Sequence, residues 1–118
     1  MRIGFDAKRA FLNASGLGNY SRNTINALHQ YSKNNQCILY TPEIKDGLFE
    51  NHKQFEVHSP ESLLAKTFKS VWRNNTTGHL KKHQIDIFHG LSNELPHGIN
   101  KSNVPAVYPI LYFSIDVL

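Results

Sequence analysis

Short apolar runs separated by longer segments of mixed polarity constrain the fold of this 118-residue chain most strongly. The runs that we predict to be strands are Arg2–Asp6, Gln36–Thr41, Phe55–His58, Ile85–Phe88 and a last one within Val104–Leu118. Helical spacing occurs after the first run and after the third. This order of strands and helices predicts an α/β domain with a mostly parallel sheet between helical layers.

Two segments between the strands have the spacing of amphipathic helices. The first is expected from Gly18 to about Ser32, with a core-facing stripe of Tyr20, Thr24, Ala27, Leu28 and Tyr31. The second is expected to begin at Ser59-Pro60, with a stripe of Leu64, Phe68, Val71 and Trp72. We expect Asn74–Gly78 to interrupt it, and His79–His83 to add one further turn.

Composition and charge narrow the class of protein. With 40% hydrophobic residues, residues 1–118 are expected to form one globular domain. The formal net charge of +4 suits a phosphate, a nucleic acid or an anionic membrane surface. The basic residues are spread out, and the densest cluster, Lys81-Lys82-His83, has no interleaved aromatic residues. We therefore interpret it as a solvated helix face and expect no nucleic-acid partner.

Location and metal binding follow from what the sequence does not contain. No run of about 18 apolar residues is present, and Asp6 stands where a signal peptide would continue its apolar region. The chain is therefore expected in the cytoplasm, either free or peripheral at the inner face of the membrane. Cys37 is predicted to be a buried, inert thiol. The histidines have no metal-ligand spacing, so we expect no metal.

Two unusual loops, Ala7–Gly18 and His89–Gly98, both follow the carboxyl ends of predicted strands, where open α/β sheets bind ligands. Gly16-Leu17-Gly18 has two interpretations: a turn with positive φ and close helix packing, or a helix start whose N–H groups face a diphosphate. The third glycine of a dinucleotide motif is absent, since Ser21 takes its place, and no acidic residue ends the second strand. A nicotinamide-dependent enzyme is therefore disfavoured.

Three motifs together carry a resemblance to a known family. They are Arg2-Ile3-Gly4-Phe5-Asp6, Ser15-Gly16-Leu17-Gly18-Asn19-Tyr20-Ser21-Arg22 and Asp86-Ile87-Phe88-His89-Gly90-Leu91-Ser92-Asn93-Glu94-Leu95-Pro96. At this separation they resemble the amino-terminal domain of GT-B-fold glycosyltransferases of the retaining family-four group, over roughly Met1 to Val107. The resemblance implies a Rossmann-like three-layer sandwich that mainly holds the acceptor. It also implies a second domain, expected to be absent here, that holds most of the nucleotide-sugar.

The resemblance assigns roles to residues of the first loop. Gly16 and Gly18 match the glycine loop that approaches the donor phosphate and the transferred sugar. Asn19 and Tyr20 match the residues that open the following helix near that site. Each of these assignments is an expectation that the resemblance implies.

Basic and polar residues beside the two loops are the acceptor-side candidates. His89 and Ser92 match the loop where acceptor hydroxyls would be expected, although His89 has the alternative role of capping a strand end. Lys8 and Arg9 would meet an anionic acceptor or phosphate, the alternative being an exposed basic pair. The family's His-Asp is replaced by Ile115-Asp116, so no catalytic residue is assigned.

These observations favour a fragment of a retaining hexosyltransferase that moves a sugar from a nucleotide-sugar donor to a glycan or lipid-linked acceptor. No cofactor or metal is expected, and the fragment itself is expected to be inactive. The alternative is a non-catalytic α/β module that binds a phosphate-bearing ligand or partner. The last apolar run is interpreted as a strand cut short, and an incomplete sheet predicts self-association, which a monomer in light scattering would contradict.

Overall fold

The computed structural model describes residues 1–60, 69–92 and 95–109, and its centre is a five-stranded, all-parallel sheet. The strands are β1 (Arg2–Asp6), β2 (Gln36–Tyr40), β3 (Glu56–His58), β4 (Ile87–His89) and β5 (Ala106–Val107). Their order across the sheet is β3-β2-β1-β4-β5. The sheet confirms the predicted α/β class. The strand β1 has the predicted bounds, those of β2, β3 and β4 differ by one or two residues, and β5 lies within the last predicted run.

Three α-helices of the described ranges accompany the sheet. They are α1 (Lys8–Leu12), α2 (Gly16–Tyr31) and α3, which occupies Lys69–Lys82 in the described part of the chain. Short 3-10 turns cover Glu50–Gln54 and Ile99–Lys101. None of the helices in the described ranges is long and apolar enough to cross a membrane.

Two hydrophobic clusters, one on each face of the sheet, make the fold a Rossmann-like three-layer sandwich. Along β2 the side chains alternate, so that Cys37 and Leu39 join one cluster while Ile38 and Tyr40 join the other. The first cluster also holds Phe11 from α1 and buried residues of α2, and the second holds Trp72 and Leu80 from α3. Cys37 is buried, as predicted, and burial raises the pKa of its thiol.

The predicted core stripe of α2 is wrong for most of its residues, although Leu28 is partly buried and packs against the first cluster. Tyr31 is 82% exposed, Tyr20 is 39% exposed, and Ala27 is also exposed. The buried positions are instead Gly18, Ser21 and Ile25, which share one face of the helix. Two of these three side chains are small and not apolar, so a count of apolar positions found the right period but the wrong face. On that face, Gly18 lets α2 approach the end of α1 closely.

Helix α1 was not predicted, since the segment from Ala7 to Gly18 was interpreted as a polar loop. The helix has five residues, too few for a periodic pattern to be recognised. Its Ala10 and Phe11 are fully buried, and the Phe11 ring lies 5.5 Å from the Phe49 ring in an edge-on arrangement. Tertiary packing, and not local propensity, therefore holds this helix in place.

The predicted interruption at Asn74–Gly78 is also wrong, because α3 continues through it to Lys82. Trp72 and Leu80 on either side are buried, and the Thr76 hydroxyl donates to the Trp72 carbonyl oxygen at 2.9 Å. Tertiary packing thus keeps Asn74–Gly78 helical, although its residue types have low helix propensity. The predicted stripe residues Leu64, Phe68 and the Val71 side chain lie outside the described residues, as does the chain from 110 to 118.

Candidate functional site at the switch point of the sheet

The direction of strand order reverses between β1 and β4. From β1 the chain builds β2 and β3 on one side, and β4 and β5 then continue on the other. In open parallel sheets a crevice forms at such a reversal, beyond the carboxyl ends of the strands. Because β1 pairs directly with β4, the segments that follow them lie at the same edge, as the sequence predicted. We call Arg9, His89 and Ser92, which follow or end these strands, the switch-point site.

Arg9 and Ser92 meet although they are 83 positions apart in the chain. The Arg9 Nη2 donates to the Ser92 carbonyl oxygen at 3.4 Å. The Arg9 Nη1 and the Ser92 Oγ are both buried, with no hydrogen-bond partner among the described residues. Ser92 itself is only 6% exposed. Buried polar atoms are costly to leave unpaired, so this pair is suited to a ligand group that accepts from both.

His89, the last residue of β4, forms another part of the same edge. Its ring centroid lies 5.7 Å from that of Phe5, which belongs to the neighbouring strand. Burial lowers the pKa of His89 below its ordinary value of 6.5. The imidazole is therefore neutral at pH 7, and its two ring nitrogens can donate one hydrogen bond and accept another.

Lys8 and Arg9 are half-buried and not an exposed basic pair. The Lys8 backbone N–H donates to Asp6 Oδ1 at 3.2 Å, which fixes the turn between β1 and α1. The Arg9 side chain also contacts the segment after β4, at the Ser92 carbonyl oxygen.

The glycines at the start of α2 have different surroundings. Neither has a positive φ, so that part of the turn interpretation is wrong. Gly16 is exposed, and no described atom lies within 4 Å of the position a Cβ would take. At Gly18 a Cβ would lie 1.8 Å from the Asn13 carbonyl oxygen and 3.0 Å from that of Arg9. Gly18 therefore allows the close packing of α2 on α1.

Arg22 is a structural residue whose role the sequence did not reveal. Its Nη1 donates to the carbonyl oxygens of Ala10 and Asn13, both at 2.9 Å, and its Nη2 donates to Asn19 Oδ1 at 2.6 Å. Arg22 thus satisfies carbonyls at the end of α1 and ties α2 to it. It lies four positions after Gly18, on the same helix face, and this spacing was the available signal.

Asn19 and Tyr20, the other two residues that the resemblance placed near the donor site, lie on the exposed side of α2 near its start. The Asn19 amide oxygen is taken by Arg22, and Tyr20 is partly exposed. The Ser15 side chain makes no capping hydrogen bond to α2, and the first turn of α2 contains no acidic residue. The first N–H groups of this 16-residue helix and its positive dipole end are therefore available for an anion.

Within the described ranges, no group of three or more histidine, cysteine, aspartate or glutamate side chains could hold a metal ion. Comparisons with protein-family models, with curated proteins and with solved structures found no match for the chain. The chemistry of the switch-point site is therefore the basis for a functional proposal.

A histidine stack, formed by His58, His79 and His83, lies on the α3 face of the sheet. The ring centroids of His58 and His83 are 4.0 Å apart, and those of His79 and His83 are 5.8 Å apart. The Tyr40 hydroxyl and His83 Nδ1 lie 2.8 Å apart. Burial, and then the nearby His58, lower the pKa values of both His79 and His83.

Because of this stack, we predict that acidification destabilises the fold at a higher pH than that at which the carboxylates become protonated. The unfolded chain binds protons at His79 and His83 more readily than the folded chain does, and His89 acts in the same direction. The contribution of these histidines to stability is therefore fully present above pH 6.5, their ordinary pKa, and it decreases as the pH drops below that value. The Glu56 pKa is lowered mainly by its hydrogen bond to a histidine, so its contribution is lost only below pH 4.5.

Urea unfolding at pH 7.5 and 5.5, followed by circular dichroism, measures this effect. We expect a lower urea midpoint at the acidic pH, and a smaller difference between the two pH values in the variant His79→Gln. A midpoint that stays constant or rises on acidification would show that these histidines are as easily protonated in the fold as outside it.

Proposed function

We propose that the chain is the acceptor-side domain of a glycosyltransferase that moves a sugar from a nucleotide-sugar to a glycan or lipid-linked acceptor. The observation that supports this most directly is that two buried atoms at the switch point, Arg9 Nη1 and Ser92 Oγ, have no hydrogen-bond partner in the described part of the chain. The resemblance of the sequence motifs to the retaining family-four group supports the reaction type. Those motifs lie on β1, on the start of α2 and on β4 with its following segment.

Each residue of the switch-point site has a role in this proposal. The Arg9 guanidinium pairs with a phosphate oxygen or an anionic acceptor group. The Ser92 hydroxyl and the neutral His89 imidazole bind sugar or acceptor hydroxyls. Gly16, with open space around it, lets a ligand come close to the first N–H groups of α2.

The electrostatics of sugar transfer fit this arrangement. Negative charge builds up on the departing nucleotide diphosphate, and preorganised N–H donors and a guanidinium stabilise it. In the family that the chain resembles, a second domain supplies most of the nucleotide contacts. We therefore propose that residues 1–118 alone bind ligands without turnover, and that they need neither a metal nor a cofactor. A lipid-linked acceptor would place the protein at the cytoplasmic face of a membrane.

Binding of nucleoside diphosphates tests the proposal. Titration of the ¹⁵N-labelled chain with UDP and GDP is expected to shift the amide signals of Arg9, Ser92 and Gly16. Arg9→Gln is expected to weaken binding about tenfold, because a charge-assisted hydrogen bond is lost. Lys101→Gln removes an exposed positive charge elsewhere and serves as the matched control. Equal affinities for Arg9→Gln and the unmodified chain would reject a role for Arg9.

The second candidate is a non-catalytic module that binds a phosphate-bearing ligand or partner. The Arg9 Nη1, which has no partner among residues 1–60, 69–92 and 95–109, favours it as well, because phosphate alone satisfies that donor. The two candidates differ in the part of the ligand that they need. If inorganic phosphate binds as tightly as UDP or GDP and acceptor sugars do not bind at this edge, the module is favoured over the transferase.

A further inference from the structure

A groove of about 550 Å³ lies between the second half of α2 and the 3-10 turn Glu50–Gln54. Its walls are dominated by five carboxamide side chains, those of Asn26, Gln30, Asn35, Asn51 and Gln54. The volume falls within the range of about 300–1,000 Å³ that is usual for small-molecule sites. We call it the amide groove.

The amide groove lies at the edge of the sheet opposite the switch-point site. Asn35 immediately precedes β2, and Gln54 is separated from the start of β3 by one residue. In a parallel sheet the amino ends of all strands share one edge, and ligand sites of the usual kind lie at the other. The groove is therefore a separate location and is not an extension of the site proposed above.

We propose that the amide groove binds a neutral carbohydrate. Carboxamides both donate and accept hydrogen bonds, so several of them together match the adjacent hydroxyl groups of a sugar ring. The Asn26 Oδ1 is buried and has no hydrogen-bond partner among the described residues, so it needs a donor such as a sugar hydroxyl. A phosphate would place acceptor against acceptor at this atom. Of the described residues that line the groove, Lys33 alone carries an ammonium group and none carries a carboxylate.

Part of the groove wall is held in place before any ligand arrives. The His29 ring packs edge-on against Phe55 with centroids 4.8 Å apart. The Asn35 Nδ2 donates to the Ser32 Oγ at 2.5 Å, which fixes the orientation of that amide. Fixed side chains lose less conformational freedom on binding, which favours even a small ligand.

Titration of the ¹⁵N-labelled chain with maltotriose, mannotriose, chitobiose and inorganic phosphate tests the proposal. We expect at least one of the sugars to bind with a millimolar dissociation constant and to shift the side-chain amide signals of Asn26, Gln30 and Gln54. Asn26→Ala is expected to weaken that binding about fivefold, through the loss of a hydrogen bond. Asn23→Ala changes the same residue type on the same helix outside the groove, and it should leave the affinity unchanged.

Three outcomes would overturn the proposal: no shift with any of the sugars, shifts confined to the switch-point site, or phosphate binding in the groove in place of sugar. The proposal goes beyond the transferase function and is independent of it. Arg9→Gln should not affect sugar binding here, so a failure of one proposal leaves the other intact.

Discussion

Replacing Gly18 by alanine is expected to lower the free energy of unfolding by about 3 kcal/mol, the upper part of the range for an overpacked site. The new Cβ would lie 1.8 Å from the carbonyl oxygen and 2.7 Å from the carbonyl carbon of Asn13. Both atoms belong to the backbone, so no side-chain rotation can relieve the clash. The measurement is urea unfolding followed by circular dichroism.

Gly16→Ala is the matched control, because it makes the same change two residues earlier in the same helix. Its Cβ would meet no described atom within 4 Å, and a helical Gly→Ala change is by itself favourable by up to about 1 kcal/mol. We therefore expect the two variants to differ in sign. If Gly18→Ala were as stable as Gly16→Ala, the close approach of α2 to α1 would be refuted.

Truncation of Phe5 to alanine is expected to cost about 4 kcal/mol, which is typical for a buried phenylalanine. Phe5 lies on the central strand β1 and is fully buried. Its ring also covers one side of His89. We therefore expect a second effect, a rise of the His89 pKa toward 6.5 as water reaches the imidazole, measured from its NMR signal against pH.

Two further variants keep this second prediction testable. Phe5→Leu retains most of the packing and remains folded if the alanine variant does not. Tyr31→Ala removes an aromatic ring that is 82% exposed, and it should change stability by less than about 0.5 kcal/mol. A cost for Tyr31→Ala comparable with that of Phe5→Ala would restore the core stripe that the sequence predicted for α2.

The strands β1 and β2 could be predicted from the sequence because each is a short, largely apolar run that the fold buries. The β2 residues from Cys37 to Tyr40 are all buried, so the local pattern and the tertiary structure agree. The face of α2 could not be predicted in this way. Its close contact with the end of α1 depends on Gly18, and a glycine does not contribute to a hydrophobic pattern.

Single residues of the candidate site could be predicted from the sequence, but the contacts between them could not. The loops after β1 and β4 drew attention to Arg9 and Ser92, yet their contact depends on which strands are neighbours. Strand order is decided by long-range packing, and no local pattern reports it. No pattern in the sequence indicated the amide groove, because isolated asparagines and glutamines are common on helix surfaces.

The tie between α1 and α2 has a consequence for molecular recognition. Arg9 extends from a short helix whose end is held by Arg22 and whose side is covered by Gly18. The backbone that carries the Arg9 side chain is thus held in place when the chain folds, before any ligand binds. An anion that binds there meets a preorganised donor, so more of the interaction energy remains as affinity.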